Sequence, residues 1–384
     1  MTGFFAGEDF SPNPIEIARQ AAAAGAGYID LTSSNPTQQG LLFPAEILRS
    51  AAEPYWSTRR YAPDPRGDRA AREAIAGYYA QRPTPLLLTP DDLFVTASTS
   101  EAYSLLFALL TEPGDNVLAP AVSYPLFDYL AAIHRVHLRP YALDESRGWR
   151  IDPASLHAQV DPRTRAILVI SPHNPTGTVI QSALPTLNAL GLPVICDEVF
   201  AEFPYQASHV PPLGALHPHL PIFHLNGISK MFALPDLKLG WIALSGGARQ
   251  IYGERLELLN DTFLGANYLT QAMLPKLFDR GRPFIGQMQT RVRTNLDRAM
   301  AALATCPQLS VRPPDGGYYL FPAIHNWDDE EALVLMLLQH GVFVHPGYFY
   351  GYEHGTHLMI SCLTEPEQLA LGLERLISAL NQLH

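Results

Sequence analysis

The chain has 384 residues, 47% hydrophobic and 16% charged, which suits a large packed core and excludes a disordered chain. Its formal net charge of −11 argues against nucleic acid as a partner. Three cysteines, Cys196, Cys306 and Cys362, with no CxxC pair, exclude a disulfide framework or a zinc cluster and point to a reducing compartment, the cytoplasm.

The opening text "MTGFFAGEDFSPNPIEIARQ" has acidic residues where a signal peptide carries a basic region and an apolar core, so no targeting segment is expected. Apolar runs such as "RAILVISP" are far shorter than the roughly 20 residues that span a bilayer as a helix, so no membrane partner is expected. From residue 68 a helical pattern, "DRAAREAIAGYYAQ", gives way to the β-branched run "DLFVTA". "SEAYSLLFALL", "DNVLAP", "RAILVIS", "LPVICDE" and "PIFHLNG" continue the alternation. Such alternation predicts an α/β fold with a mostly parallel sheet covered on both faces. After about residue 268 a long helical stretch runs to "RVRTNLDRAMAALA", followed by the strands "GGYYLF" and "GVFVHP" and the closing helix "EPEQLALGLERLISALNQL". The expected division is a large domain over 43–267 and a smaller α+β domain over 268–384, joined by an N-terminal segment over 1–42. The 34 prolines sit at element ends and form no linker, and no internal repeat is visible.

In a parallel sheet, ligands gather at the carboxyl ends of the strands, so the residues just after each apolar run are the candidates. "DLFVTA" opens into Ser98, Thr99 and Ser100 at a helix start, where hydroxyls and free N–H groups either cap the helix or cradle a phosphate. "AILVIS" ends in "PHNPTG", with Asn174 in a Pro-flanked turn, and "LPVIC" ends in Asp197 and Glu198. "PIFHLNGIS" then delivers Lys230. Of the 26 Lys and Arg residues only Lys230, Lys238 and Lys276 are lysine. Lysine in a chain that otherwise uses arginine suggests a need for an amine that can lose its proton and form an imine.

The spacing of Asn174, Asp197 and Lys230, 23 and then 33 residues, is one strand–helix–strand step each time. Here the chain resembles the aspartate aminotransferase superfamily, the fold type I enzymes that use pyridoxal 5′-phosphate (PLP). The resemblance rests on "NPTG", "DEVF", "SK" and "LKLGW", with "YAPDPRG", "TSEA", "PGDNVLAP", "SYPLF" and "GGYYLF" in order, and it covers nearly the whole chain. It implies a seven-stranded, mostly parallel sheet and a PLP-dependent aminotransferase acting on an amino acid and a 2-oxo acid. It implies further that Lys230 carries PLP as an internal aldimine and moves the substrate proton, that Asp197 pairs with the pyridine nitrogen, and that Asn174 donates to the ring oxygen. Tyr124 stacks on the ring; Ser98, Thr99, Ser100 and Lys238 hold the phosphate. Tyr61 reaches the phosphate of a second subunit, which makes the expected assembly a homodimer with shared active sites.

The chain departs from that pattern at four places. Phe200 stands where a tyrosine is common, Gly227 where a serine is common, and Lys238 where arginine is usual. In "HLMISCLTE" Met359 takes the place of the arginine that clamps the substrate carboxylate. Asn174, the backbone near Asn35 and Arg60 are the remaining candidates for that clamp. Other chemistries on the same scaffold, such as C–S bond elimination, form the alternative reading. A ligand-sensing transcription regulator would need a DNA-binding segment, and no helix-turn-helix or basic patch precedes the region of resemblance. The pairs His134/His137 and His217/His219 lack further ligands at metal-site spacing; they are read as surface residues, and no metal is expected.

Overall fold

The computed structural model describes residues 9–59 and 62–382. Seven strands form the central sheet, in the spatial order Leu93–Thr96, Gly240–Ser245, Ile222–Gly227, Val194–Asp197, Thr164–Ile170, Asn116–Pro120 and His137–Tyr141. All neighbours pair in parallel except Gly240–Ser245, which runs antiparallel to both strands beside it. The inner strands are apolar on both faces because helices cover both, and every residue of Val194–Asp197 and Ile222–Gly227 is buried.

The register aligns the strand ends. Ile170 pairs with Asp197, Asp197 with Leu225, Gly227 with Gly240, and Gly240 with Thr96. Residues that follow Ile170, Asp197, Gly227 and Thr96, and those that precede Gly240, therefore share one edge of the sheet, although most are far apart in the chain.

The N-terminal segment packs on the C-terminal part of the chain. Ile29–Asp30 pairs in parallel with Val342–Phe343, and helix Pro14–Ala24 packs on helix Glu330–Gln339. The long helical stretch expected after residue 268 is two helices, Tyr268–Arg280 and Arg282–Leu303. Pro283 cannot donate an interior helix bond and instead sits in the first turn of the second helix, which forces the break. Tyr268–Arg280 lies against Ala45–Thr58 and Arg69–Ala80; Gln271 Oε1 accepts from Asp68 N at 2.6 Å, and Lys276 Nζ donates to Ser50 O at 3.0 Å. Arg282–Leu303 bridges the domains. Gln289 Nε2 donates to Glu202 O at 2.6 Å on one side, and Asn295 Nδ2 donates to Cys362 O and Thr364 O at 2.9 and 2.7 Å on the other.

His217 departs from the sequence expectation. It is buried rather than on the surface, because both ring nitrogens find partners: Nε2 accepts from Leu184 N at 3.0 Å and Nδ1 lies 2.9 Å from Asn188 Oδ1. No cluster of three or more metal-ligating side chains occurs among the described residues, and no helix among them is long and apolar enough to cross a membrane.

Beneath the aligned edge, Glu198 is 1% exposed and ion-paired to Arg82, with Tyr79 Oη donating at 2.8 Å and His224 Nδ1 lying 3.1 Å away. Arg82 Nη2 also donates to Val210 O at 2.7 Å, so the pair ties Glu198 to two further segments. Removing one partner of a buried pair leaves an uncompensated charge. Arg82→Ala should therefore destabilise the large domain by about 3–5 kcal/mol, read from the urea unfolding midpoint, and Arg82→Met with Glu198→Gln should recover much of the loss.

Candidate functional site

A cavity of about 170 Å3 opens at the aligned edge, lined among others by Ser34, Tyr124, Asn174, Asp197, Lys230 and Tyr319. Lys230 lies on the one-turn helix Ile228–Met231, directly after the strand that ends at Gly227. Its Nζ donates to Ser34 O at 3.1 Å. Burial pushes the ammonium down to about 8 against the opposing pull of Asp197, so a substantial fraction is free amine just above neutrality.

Asp197 ends its strand pointing into the same cavity. Its Oδ2 accepts from Tyr103 Oη at 2.8 Å and its Oδ1 from Val199 N at 3.1 Å. Burial raises the carboxyl to about 6 because these two neutral donors, and the more distant Lys230, do not fully replace water. Asn174, in the turn after Ile170, has a buried Oδ1 without a hydrogen-bond partner.

Ser98 is the N-cap of helix Thr99–Leu110, its Oγ accepting from Glu101 N at 3.1 Å. The capping and the anion-binding readings thus coexist: the side chain of Ser98 is engaged, while Thr99 and Ser100 present the first turn of a 12-residue helix to the cavity. Gly240 allows the approach. A Cβ there would stand 2.9 Å from both Ser98 C and Thr99 N. The glycine at 227 has a similar cause, since a Cβ would come within 2.8 Å of Leu239 O, and a serine at that position would not fit this backbone.

Other candidates stand further from the cavity. Lys238 is exposed, with φ at 47°, and it is the next residue, Leu239, that lines the cavity. Asn35 Oδ1 accepts from Thr37 N and Thr37 Oγ1 at 3.1 and 2.8 Å, so it closes its own turn, while the adjacent Ser34 lines the cavity. Arg60 and Tyr61 lie outside the described residues. Tyr124 stands at the mouth, 44% exposed. Phe200 lines the wall and packs edge-on against Tyr318 and Tyr319 at 5.0 and 5.6 Å. Tyr205 does not supply the missing hydroxyl, for its Oη donates to Asp297 Oδ1 at 2.6 Å. Tyr103, the donor to Asp197, went unnoticed in the sequence; it sits in a helix interior where a tyrosine reads as plain core, and only its helical spacing from Ser98–Ser100 offered a signal.

These residues fit PLP by their chemistry. A lysine whose ammonium is lowered by burial suits an aldehyde, a carboxyl raised by burial suits a protonated ring nitrogen, the NH2 of the Asn174 amide is a donor of the kind a ring oxygen takes, and a helix N-terminus suits a phosphate.

Comparison with known proteins agrees with the geometry. Residues 26–376 match the family described as aminotransferase class I and II. The glutamate-pyruvate aminotransferase AlaA of Escherichia coli is 28% identical, over 96% of this chain and 94% of its own length. The alanine aminotransferase of Mycobacterium bovis is 29% identical, over 94% and 87%. Among solved structures, the alanine aminotransferase of Pyrococcus furiosus superposes with a TM-score of 0.91 at 25% identity, with all of both chains covered.

Gly240→Ala should force the Ser98–Thr99 backbone away from the strand and weaken the anion cradle. The expected result is a loss of about tenfold or more in PLP affinity, roughly 1.4 kcal/mol, measured by fluorescence titration of the cofactor-free protein. Affinity equal to that of the unmutated chain would show that the close approach is not needed.

Proposed function

This chain belongs to the class I and II aminotransferases and transfers an amino group from an amino acid to a 2-oxo acid, and we propose that it does so with PLP held on Lys230. Bound PLP supplies a reactive aldehyde carbon and a protonated ring that withdraws electrons from the substrate Cα. The observation that carries the proposal is one cavity holding an amine lowered by burial beside a carboxyl raised by burial.

Each residue then has a task. Lys230 Nζ anchors the cofactor and, once released, carries the proton to and from the substrate Cα. Asp197 keeps the ring nitrogen protonated, and Tyr103 holds the carboxylate in place at 2.8 Å. Asn174 donates to the ring oxygen, and Tyr124 covers the ring. Thr99 and Ser100 receive the phosphate, with Ser98 securing the helix turn and Lys238 adding charge from the rim. Leu126, Phe127, Ile170, Phe200 and Leu239 wall the cavity with apolar surface that excludes water.

The assembly in this proposal is a homodimer in which Tyr61 of one chain completes the phosphate site of the other, and the setting is the cytoplasm, in keeping with three buried free cysteines. Alanine and glutamate with their 2-oxo acids are the first substrates to test, since relatives bear those names. The same names favour transfer over elimination.

Two measurements test the reading. Adding L-alanine or L-glutamate to the holoenzyme should convert bound PLP stoichiometrically to its amine form; release of ammonia with pyruvate would instead mark an elimination enzyme. Borohydride reduction followed by mass spectrometry should place the cofactor on Lys230, and finding it on Lys238 or Lys276 would end the assignment. The lowered amine also sets a pH dependence. Attachment of PLP to the cofactor-free protein should speed up as pH rises, with a midpoint near 8, where Lys230 loses its proton.

A further inference from the structure

Of the residues lining the cavity, the large domain supplies all but two: Ser34 from the N-terminal segment and Tyr319 from the small domain. Both are held by Ser361. Tyr319 pairs with Ser361 across an antiparallel ladder, while Ser361 Oγ donates to Ser33 O at 2.7 Å and Ser361 N to Leu31 O at 2.7 Å. The Tyr319 ring is 4% exposed and wedged against Phe200 and Tyr318, at centroid distances of 5.6 and 4.8 Å. Burial raises its phenol far above the usual range, so the hydroxyl remains a donor at any working pH.

The charges around it are sparse. Among the described residues lining the cavity only Lys230 and Asp197 are charged, and both are assigned to the cofactor in the function proposed above. Side chains alternate along Thr356–Ser361, so His357, Met359 and Ser361 share the face toward the large domain, where His357 Nε2 meets Glu145 Oε1 at 3.0 Å. Met359, between them, is apolar and 2% exposed. It pairs with His345, whose Nδ1 lies 3.2 Å from Tyr350 Oη and which burial lowers to about 4, so it is neutral near pH 7. The small-domain wall thus presents a phenol backed by apolar and neutral groups.

Resting on the transaminase reading above, we infer that Tyr319 is a specificity-determining residue of this site: its hydroxyl, with the Asn174 amide, receives the substrate α-carboxylate where no small-domain cation is available. The recognition is then by neutral donors to a charged acceptor. This selects for the carboxylate through directional hydrogen bonds and depends little on ionic strength.

The test uses holoenzyme and two ligands without an α-hydrogen, 2-methylalanine and tert-butylamine, in the second of which a methyl group replaces the carboxylate, with binding read from the absorbance of the cofactor. Because 2-methylalanine has no α-hydrogen, its dissociation constant is independent of whether the chain transaminates, and the L-alanine half-reaction judges that separately. Tyr319→Phe keeps the ring and its packing and removes one hydroxyl. It should weaken 2-methylalanine roughly 10- to 100-fold, the worth of a hydrogen bond to a charged group, and leave tert-butylamine unchanged. An unchanged ratio of the two constants in Tyr319→Phe would overturn the inference. So would a collapse of the ratio in Arg60→Gln accompanied by none in Tyr319→Phe.

Discussion

Two neighbouring carboxylates buried at the end of one central strand, Asp197 and Glu198, form the constraint around which this molecule is arranged. Both lose water to the same degree, and their fates differ because their partners differ. Burial alone would raise Glu198, but the Arg82 guanidinium and His224 outweigh it and hold the group at about 2. Asp197 has a phenol, a backbone N–H and a lysine too distant to pair with it, and burial keeps it up at about 6. One carboxylate is a structural anchor that ties helix Arg69–Ala80, through Tyr79 and the following Arg82, to the end of its strand. The other is left short of one positive partner, facing a cavity.

The sheet makes that contrast useful. Parallel strands in register bring the turn after Ile170, the strand end at Asp197 and the short helix after Gly227 to a common edge, and the reversed strand Gly240–Ser245 lets the Ser98–Thr99 helix start close over it. None of these contacts is local in sequence. The floor of the cavity is accordingly built on the buried central strands, whereas its far wall is completed by Ser34 and Tyr319, from segments held together through Ser361.

Gly227, His217 and Tyr103 show where reading the chain stopped short. Gly227 and Lys238 look like departures from a family pattern, yet the first follows from the 2.8 Å approach of Leu239 O, which no spacing reveals. His217 lies in "HPHL", a polar stretch that reads as surface, and is buried because Leu184 N and Asn188 satisfy its ring. Tyr103 reads as helix core, which it is, while its hydroxyl serves the site. In each case the deciding partner is at least 12 residues away in the chain.

By itself the sequence determined the α/β class, the alternation of strands and helices, and the candidates after each apolar run, because periodicity and strand-end chemistry are local properties written in short stretches. Lysine scarcity and the order of "NPTG", "DEVF" and "SK" pointed to the chemistry for the same reason. Tertiary structure alone decided which of two adjacent carboxylates would be neutralised, how far Lys230 and Asp197 would shift, and which side chain of the small domain would reach the cavity. Those outcomes depend on burial and on partners brought together across domains, and distances of that kind are set only when the sheet and its covering helices have packed.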